Sequence, residues 1–96
     1  MKAFWYNNDR KNLIGIKIKE LRKEKKISTK KLEIMAQLAG YDTITQNAIT
    51  KIELGIRFVP DYEVAIFAEL LETTPEYLLS FSSTKRLLIS LYVFWN

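Results

Sequence analysis

The 96-residue sequence contains no cysteine and no histidine. Without cysteine, neither a disulfide framework nor a thiolate metal site can form. Without histidine, the chain lacks the usual proton shuttle of enzymes and the imidazole that most often binds metals. These two absences exclude most enzyme classes and metal centres. We therefore expect a protein that is not an enzyme, holds no metal or cofactor and takes no small-molecule ligand.

Long hydrophobic runs are also missing. The longest apolar stretch, LLISLYVFW, is much shorter than the roughly 20 residues that span a bilayer. The opening residues MKAFWYNNDR lack the apolar segment of a signal peptide. We expect a soluble, cytoplasmic protein without membrane contact, and the chain length suits a single domain with one core.

Negative charge is scarce in the first part of the sequence. Residues 1–57 carry 13 lysines and arginines against 6 acidic residues, whereas residues 58–96 carry 2 against 5. The net charge of +4 therefore conceals a strongly basic N-terminal part. A positive surface suits nucleic acid or an anionic membrane surface, because both present dense negative charge. A solvated lysine-rich helix is the alternative explanation for the run KELRKEKK.

Glycine and proline are scarce as well, with three and two residues. The apolar-periodic stretches are therefore expected to be helices joined by brief turns. The pattern predicts an all-α fold with five helices, at about residues 13–26, 29–39 and 46–54 and from Pro60 and Pro75 onward. The residues expected to cap or end these helices are Ser28, Thr45, Thr74, Gly40 and Gly55.

The stretch TITQNAITKIELG, residues 43–55, has two chemically distinct faces. Isoleucines at positions 44, 49 and 52 give an apolar face at helical spacing. Amide, hydroxyl and ammonium groups crowd the other face, on Gln46, Asn47, Thr50 and Lys51. The exposed side of an ordinary capped helix explains this pattern, and so does a helix whose polar face binds a ligand.

An ordered set of residues extends this pattern over about two thirds of the chain. Its members are Ile14, Gly15, Ile18, Leu21, Arg22, Ile27, Ser28, Thr45, Ile49, Ile52, Glu53, Gly55 and the run FAELLETTPEYLL. In this order and spacing, residues 14–79 resemble the Cro/repressor-type (XRE-like) helix-turn-helix family of phage and bacterial regulators. The resemblance implies a five-helix, repressor-like DNA-binding domain whose third helix enters the major groove.

By this resemblance, the polar face of the third helix contacts base edges. Gln46 and Asn47 lie at its amino end, where a carboxamide can pair with N6 and N7 of adenine. Thr50 is expected to touch a base edge or a thymine methyl group. Lys51 is expected to reach guanine or a phosphate.

Phosphate contacts and an ion pair are also implied by the resemblance. Phosphate contacts fix the register on the duplex without reading its sequence. The implied phosphate contacts are Thr29, Lys30, Lys51 and Arg57. The implied ion pair joins Arg22 of the first helix to Glu53 of the third and orients the reading helix. Two separate charges facing solvent are the alternative for that pair.

Three features depart from the family pattern. Sixteen residues separate Ser28 from Thr45, more than in the common short form, so either the second helix gains a turn or the connection is enlarged. Leu54 and Ile56 stand where many relatives carry a polar residue and a lysine, which removes possible phosphate contacts. Glu72 replaces a common helix-ending glycine.

The two ends of the chain carry aromatic clusters outside the matched region. We assign residues 1–12 to an N-terminal arm, 13–81 to the helix-turn-helix domain and 82–96 to an apolar C-terminal tail. Periodicity does not decide between strand and helix for the tail. Because an exposed tail of this kind would form a large apolar patch, we expect it to be covered within the chain or to support a homodimer.

The sequence therefore predicts sequence-specific binding of double-stranded DNA by a transcriptional regulator of the repressor type. The alternative is a protein-interaction module that keeps the helical fold without DNA binding, which Leu54, Ile56 and the apolar tail favour. Salt dependence discriminates the two, because contacts to phosphates release counterions and binding then weakens steeply as salt increases.

Overall fold

The structure, a computed structural model, describes residues 10–80. This part of the chain forms five α-helices and no β-strand, which confirms the all-α expectation. The helices are α1 (Gly15–Glu24), α2 (Thr29–Leu38), α3 (Gln46–Leu54), α4 (Asp61–Leu70) and α5 (Pro75–Leu79). None of these helices has the length and hydrophobicity that a membrane crossing requires. The predicted C-terminal dimerisation element and most of the N-terminal arm lie outside the described residues.

Side-chain caps start three of the helices, as predicted. The hydroxyls of Ser28, Thr45 and Thr74 each accept a hydrogen bond from a backbone N–H three residues later, at 3.0 to 3.1 Å. Each bond satisfies an amide that has no partner inside its own helix. α3 ends at Gly55, whose φ of 81° is the left-handed conformation that glycine tolerates best.

α1 is shorter than the predicted helix at residues 13–26. It begins at Gly15, whose N–H donates to the side-chain oxygen of Asn12 at 2.8 Å. It ends at Glu24, and Lys26 then takes a left-handed φ of 59°. The chain therefore turns toward α2 before the lysine-rich run is finished.

The boundaries of α4 also differ from the prediction. Pro60 is the residue before the helix rather than its first residue, because its ψ of 159° is extended. After the helix, Glu72 adopts a left-handed φ of 56°. The chain thus keeps a turn geometry that favours glycine, although the residue here is a glutamate.

The hydrophobic core fixes the orientation of α3. α3 packs against both α1 and α2, and α4 packs against α2 and α5. The buried apolar residues of the core are Ile14, Ile18, Leu32, Ala36, Ile44, Ile49, Ile52, Val64, Phe67, Ala68, Leu71 and Leu78. Burying one large apolar side chain stabilises the fold by about 1.5–3 kcal/mol. Because Ile49 and Ile52 are fully buried, the opposite face of α3 must point outward.

The connection between α2 and α3 is enlarged. α2 ends at Leu38, so the connection takes residues 39–45, whereas three or four residues commonly join such a helix pair. The side chain of Ile44 is buried in the core. The hydroxyl of Tyr41 donates to Glu69 of α4 at 2.9 Å. These contacts tie the long turn to the domain, and of the two explanations for the wide spacing of Ser28 and Thr45, the enlarged connection is the correct one.

Candidate nucleic-acid interface

The four residues expected to contact bases share the exposed face of α3. Gln46, Asn47, Thr50 and Lys51 are all exposed, while Ile49 between them is buried. Asn47 and Lys51 are one helical turn apart and therefore neighbours on the helix surface. Within residues 10–80, neither of these two side chains makes a hydrogen bond, so a carboxamide and an ammonium group are available to a ligand.

Gln46 is joined to Thr29, the first residue of α2. The side-chain Nε2 of Gln46 donates to the Thr29 hydroxyl oxygen at 3.0 Å. The side-chain oxygen of Gln46 and the hydroxyl proton of Thr29 remain available, because the bond uses only one donor of Gln46 and one acceptor of Thr29. A predicted base contact and a predicted phosphate contact thus lie side by side, where the first turns of α2 and α3 meet.

Thr50 uses its hydroxyl proton within α3. Its Oγ1 donates to the backbone carbonyl of Gln46 at 3.0 Å, the bond that threonine often makes one turn back along a helix. The hydroxyl oxygen can still accept a hydrogen bond, and the methyl group is also available. This arrangement suits contact with a thymine methyl group better than donation to a base.

Glu33 of α2 is part of the same surface, and the sequence did not indicate it. Its Oε2 accepts from the backbone N–H of Gln46 at 3.1 Å, and its Oε1 accepts from Lys30 Nζ at 3.0 Å. The hydrogen bond from Lys30, and then that from the Gln46 amide, lowers the pKa of Glu33. A lysine three residues before a glutamate is visible in the sequence, but the contact with α3 is not.

Arg57, a predicted phosphate contact, already has a carboxylate partner. Its two terminal nitrogens donate to the two carboxylate oxygens of Glu63, at 2.7 and 3.2 Å. The Glu63 side chain is almost fully buried, whereas that of Arg57 is 30% exposed. The hydrogen bonds that Arg57 donates to Glu63 raise the pKa of Arg57, so the arginine stays charged. The pair fixes the loop after α3 to the first turn of α4.

Arg22 and Glu53 form a bidentate ion pair between α1 and α3. Arg22 Nε lies 2.8 Å from Glu53 Oε2, and Nη2 lies 3.0 Å from Oε1. The third guanidinium nitrogen donates to the Ile27 carbonyl at 3.0 Å. The side chains are only 12% and 8% exposed, and the hydrogen bonds that Arg22 donates to Glu53 raise the pKa of Arg22. The pair therefore joins α3 to α1 and does not use the exposed face of α3.

Asn12 holds the carboxyl end of α3, a role that the sequence did not reveal. Its side-chain nitrogen donates to the Ile52 carbonyl at 3.0 Å and to the Arg57 carbonyl at 2.9 Å. Its side-chain oxygen accepts from Gly15 at the start of α1. One buried carboxamide thus connects α1, α3 and the following loop. Its place in the polar run NNDRKN carries no signal for this role.

Arg10 acts beside Asn12. Its guanidinium donates to the carbonyl oxygens of Ile52 and Glu53, at 3.1 and 2.9 Å. The last carbonyls of a helix have no partner within the helix, and these bonds satisfy two of them. Gly15 lets the start of α1 lie close to the end of α3, because a Cβ at this position would collide with the Ile52 carbonyl oxygen. The last residues assigned to the N-terminal arm therefore lie directly against α3.

One family model matches most of the described domain. Residues 15–81, more than two thirds of the chain, match the family model of a helix-turn-helix domain. No curated protein and no solved structure gives a match. The matched segment contains all five helices and the whole connection between α2 and α3. The chain therefore belongs to the helix-turn-helix domain family.

Proposed function

We propose that the protein binds double-stranded DNA sequence-specifically and regulates transcription by occupying its site, with α3 as the reading helix. The arrangement of α3 carries this proposal: its apolar face is buried, while Gln46, Asn47, Thr50 and Lys51 share the exposed face. Function then depends on affinity and position rather than on chemistry. The finer form of the proposal is a repressor of the Cro/repressor type that acts in the cytoplasm.

Each residue on the exposed face of α3 has a proposed contact. The carboxamides of Gln46 and Asn47 pair with N6 and N7 of adenine. Gln46 is preoriented by its bond to Thr29, which lowers the conformational entropy lost on binding. Lys51 donates to guanine O6 or N7 or to a phosphate, and the methyl group of Thr50 meets a thymine methyl.

The proposed phosphate contacts are Thr29, Lys30, Lys51 and Arg57. Lys51 offers an exposed ammonium group with no hydrogen bond inside residues 10–80. Lys30 and Arg57 each share their charge with a carboxylate, at 3.0 and 2.7 Å. A phosphate must compete with Glu33 or Glu63 for these two side chains, and we therefore assign the larger contribution to Lys51.

We further propose that the active species is a homodimer. One reading helix covers too few base pairs to select a site among many, and two linked helices gain affinity through effective concentration. The apolar tail, residues 82–96, supplies the sequence of a dimerisation element. Two copies related by a two-fold axis read inverted half-sites about 34 Å apart, because that spacing presents both major-groove segments on one side of the duplex.

Selection of bound sequences from random duplex DNA tests the proposal. The expected result is one enriched motif, with affinity that falls steeply between low and moderate salt because Lys and Arg contacts release counterions. Recovery of no common motif, with equal affinity for all duplexes, would contradict sequence-specific binding.

A protein-interaction module is the second candidate function. At the carboxyl end of α3, Leu54 is 62% and Ile56 is 55% exposed, and these apolar side chains suit a protein partner better than a phosphate backbone. Binding to a protein partner that barely changes with salt, together with no measurable affinity for duplex DNA, would favour this function over the first.

A further inference from the structure

The amino end of α3 is occupied by a carboxylate of the neighbouring helix. The first amides of a helix have no intrahelical partner, and together with the helix dipole they commonly attract phosphate. In this chain the N–H of Gln46 already donates to Glu33 at 3.1 Å. The N–H of Ala48 donates to the Thr45 hydroxyl at 3.1 Å. Two of the first three amides of α3 are thus already paired within the protein.

Glu33 is held in this position from both sides. Lys30 binds its second carboxylate oxygen at 3.0 Å, and the Glu33 side chain is only 13% exposed. Lys30 itself is 64% exposed and can turn toward solvent. The carboxylate is therefore the fixed member of the pair. A fixed negative charge at this point repels a DNA phosphate that approaches the amino end of α3.

Gln46 is held twice by α2. Its backbone N–H is bound by Glu33, and its side-chain Nε2 is bound by Thr29 at 3.0 Å. Both bonds come from the first half of α2, so they fix the position of the Gln46 side chain relative to α2. A side chain that is held in this way can meet a base edge with little further ordering.

We propose that Glu33 is a specificity-determining positioning residue, which holds Gln46 for base reading and excludes phosphate from the amino end of α3. The inference rests on the proposed DNA binding and names a determinant that lies outside the reading helix. Specificity is the difference between the affinity for the preferred site and the affinity for other DNA. A group that repels the backbone of every duplex lowers the affinity for nonspecific DNA. The carboxylate thus weakens binding to all DNA, while the position it gives Gln46 favours the preferred site.

Two substitutions separate the two effects. Glu33→Gln keeps an oxygen that can accept from the Gln46 amide but removes the charge, whereas Glu33→Ala removes both. We expect each variant to bind random duplex DNA about 3- to 10-fold more tightly at low salt, the size of one removed like-charge interaction near a surface. Only Glu33→Ala is expected to lower the preference for the selected site as well, since it alone removes the acceptor of the Gln46 backbone N–H and leaves Gln46 held by Thr29 only. Rescue of the preference by glutamine would identify the hydrogen bond as the positioning contact.

The matched controls are Glu24→Gln and Glu24→Ala, at an exposed carboxylate in the last turn of α1. They change the net charge equally, at a residue that is not part of the contacts among Lys30, Glu33 and Gln46. If the Glu33 and Glu24 variants gain the same affinity for random DNA and keep the same site preference, the inference is overturned while DNA binding by the wild type stands. If the wild type itself shows no preference, the proposed function and the inference both fail. Circular dichroism of each variant confirms that the helices are intact.

Discussion

At the scale of single residues, the most interdependent contact is the ion pair of Arg22 and Glu53. Both side chains are about nine-tenths buried, and the guanidinium donates three hydrogen bonds, two to the Glu53 carboxylate and one to the Ile27 carbonyl. An unpaired charge at such a place has little access to water. Each residue therefore stabilises the fold mainly by keeping the other from being stranded.

Replacing Arg22 or Glu53 alone by alanine should destabilise the domain by about 3 kcal/mol, because the remaining charge is left without its partner. The double replacement should cost clearly less than the sum of the two single replacements. Urea unfolding of the four proteins measures this coupling. Additive losses would mean that the pair contributes no interaction energy.

Glu33 makes the free energy of unfolding depend on pH in the acid range. The hydrogen bond from Lys30, and then the Gln46 amide, lowers its pKa in the folded state. A carboxyl group with a lowered folded pKa stabilises the fold above its unfolded pKa, about 4.3, and this stabilisation disappears as the pH falls through the folded value.

The wild type should therefore be more stable than Glu33→Gln at neutral pH, and the two should converge as the pH falls below about 4. Thermal unfolding of both proteins across this range gives the difference. Glu76→Gln, at an exposed carboxylate of α5, serves as the control. A stability difference between wild type and Glu33→Gln that is the same at all pH values would contradict the assignment.

At the scale of elements, α3 is held at both ends by other parts of the chain. Glu33 and Thr29 bind its amino end, while Asn12 and Arg10 bind its last carbonyls. The buried isoleucines fix its rotation between these ends. α3, the proposed reading helix, is thus fixed before it meets a ligand, which favours specificity because less conformational entropy is lost on binding.

Asn12→Ala should destabilise the domain by about 2 kcal/mol, because buried groups at Gly15 and Arg57 lose their hydrogen-bond partner. Asn12→Asp should destabilise the domain at least as much as alanine, because it loses the donors and places a buried carboxylate against the carbonyl oxygens of Ile52 and Arg57. Chemical denaturation checks both values. An alanine variant as stable as the wild type would show that Asn12 does not hold α3.

Local signals in the sequence predicted α3 itself, and the family resemblance implied its ion pair with Arg22, whereas the contacts of α3 with Asn12, Arg10 and Glu33 were not predictable. Thr45 and Gly55 mark the two ends of the helix within a dozen residues, and cap chemistry acts over that distance. Asn12 donates to the carbonyl of Ile52, which lies 40 residues away in the sequence. The contact of Glu33 with α3 crosses the enlarged connection of residues 39–45. Contacts of this kind depend on how helices pack, and neither periodicity nor capping encodes them.

At the scale of the whole molecule, positive charge and the longest apolar run of the sequence lie in different parts of the chain. Residues 1–57 carry most of the positive charge, and the run from Leu87 to Trp95 is almost entirely apolar. Within residues 10–80, the core is assembled from residues 14–78. A second copy of the chain is the partner that we propose for the apolar run, which lies outside the described residues.

Deleting residues 86–96 should convert a dimer into a monomer and weaken binding to the preferred site by about 10²- to 10⁴-fold, because the two reading helices are no longer linked. The helical circular-dichroism signal should remain, since α1 to α5 lie before the deletion. Light scattering measures the molar mass in solution and so distinguishes the dimer from the monomer. A full-length protein that is monomeric at tens of micromolar would refute the dimer, and an unchanged affinity after deletion would refute the role of the tail.

The claim that α3 reads DNA is tested most directly by the affinity of Asn47→Ala for the selected site and for a scrambled duplex of the same length. The Asn47 side chain is exposed and makes no hydrogen bond within residues 10–80, so its replacement by alanine leaves the described fold intact. The expected result is a loss of about 1–3 kcal/mol on the selected site and almost none on the scrambled duplex. The same loss on both duplexes, or no loss on either, would contradict base reading by α3.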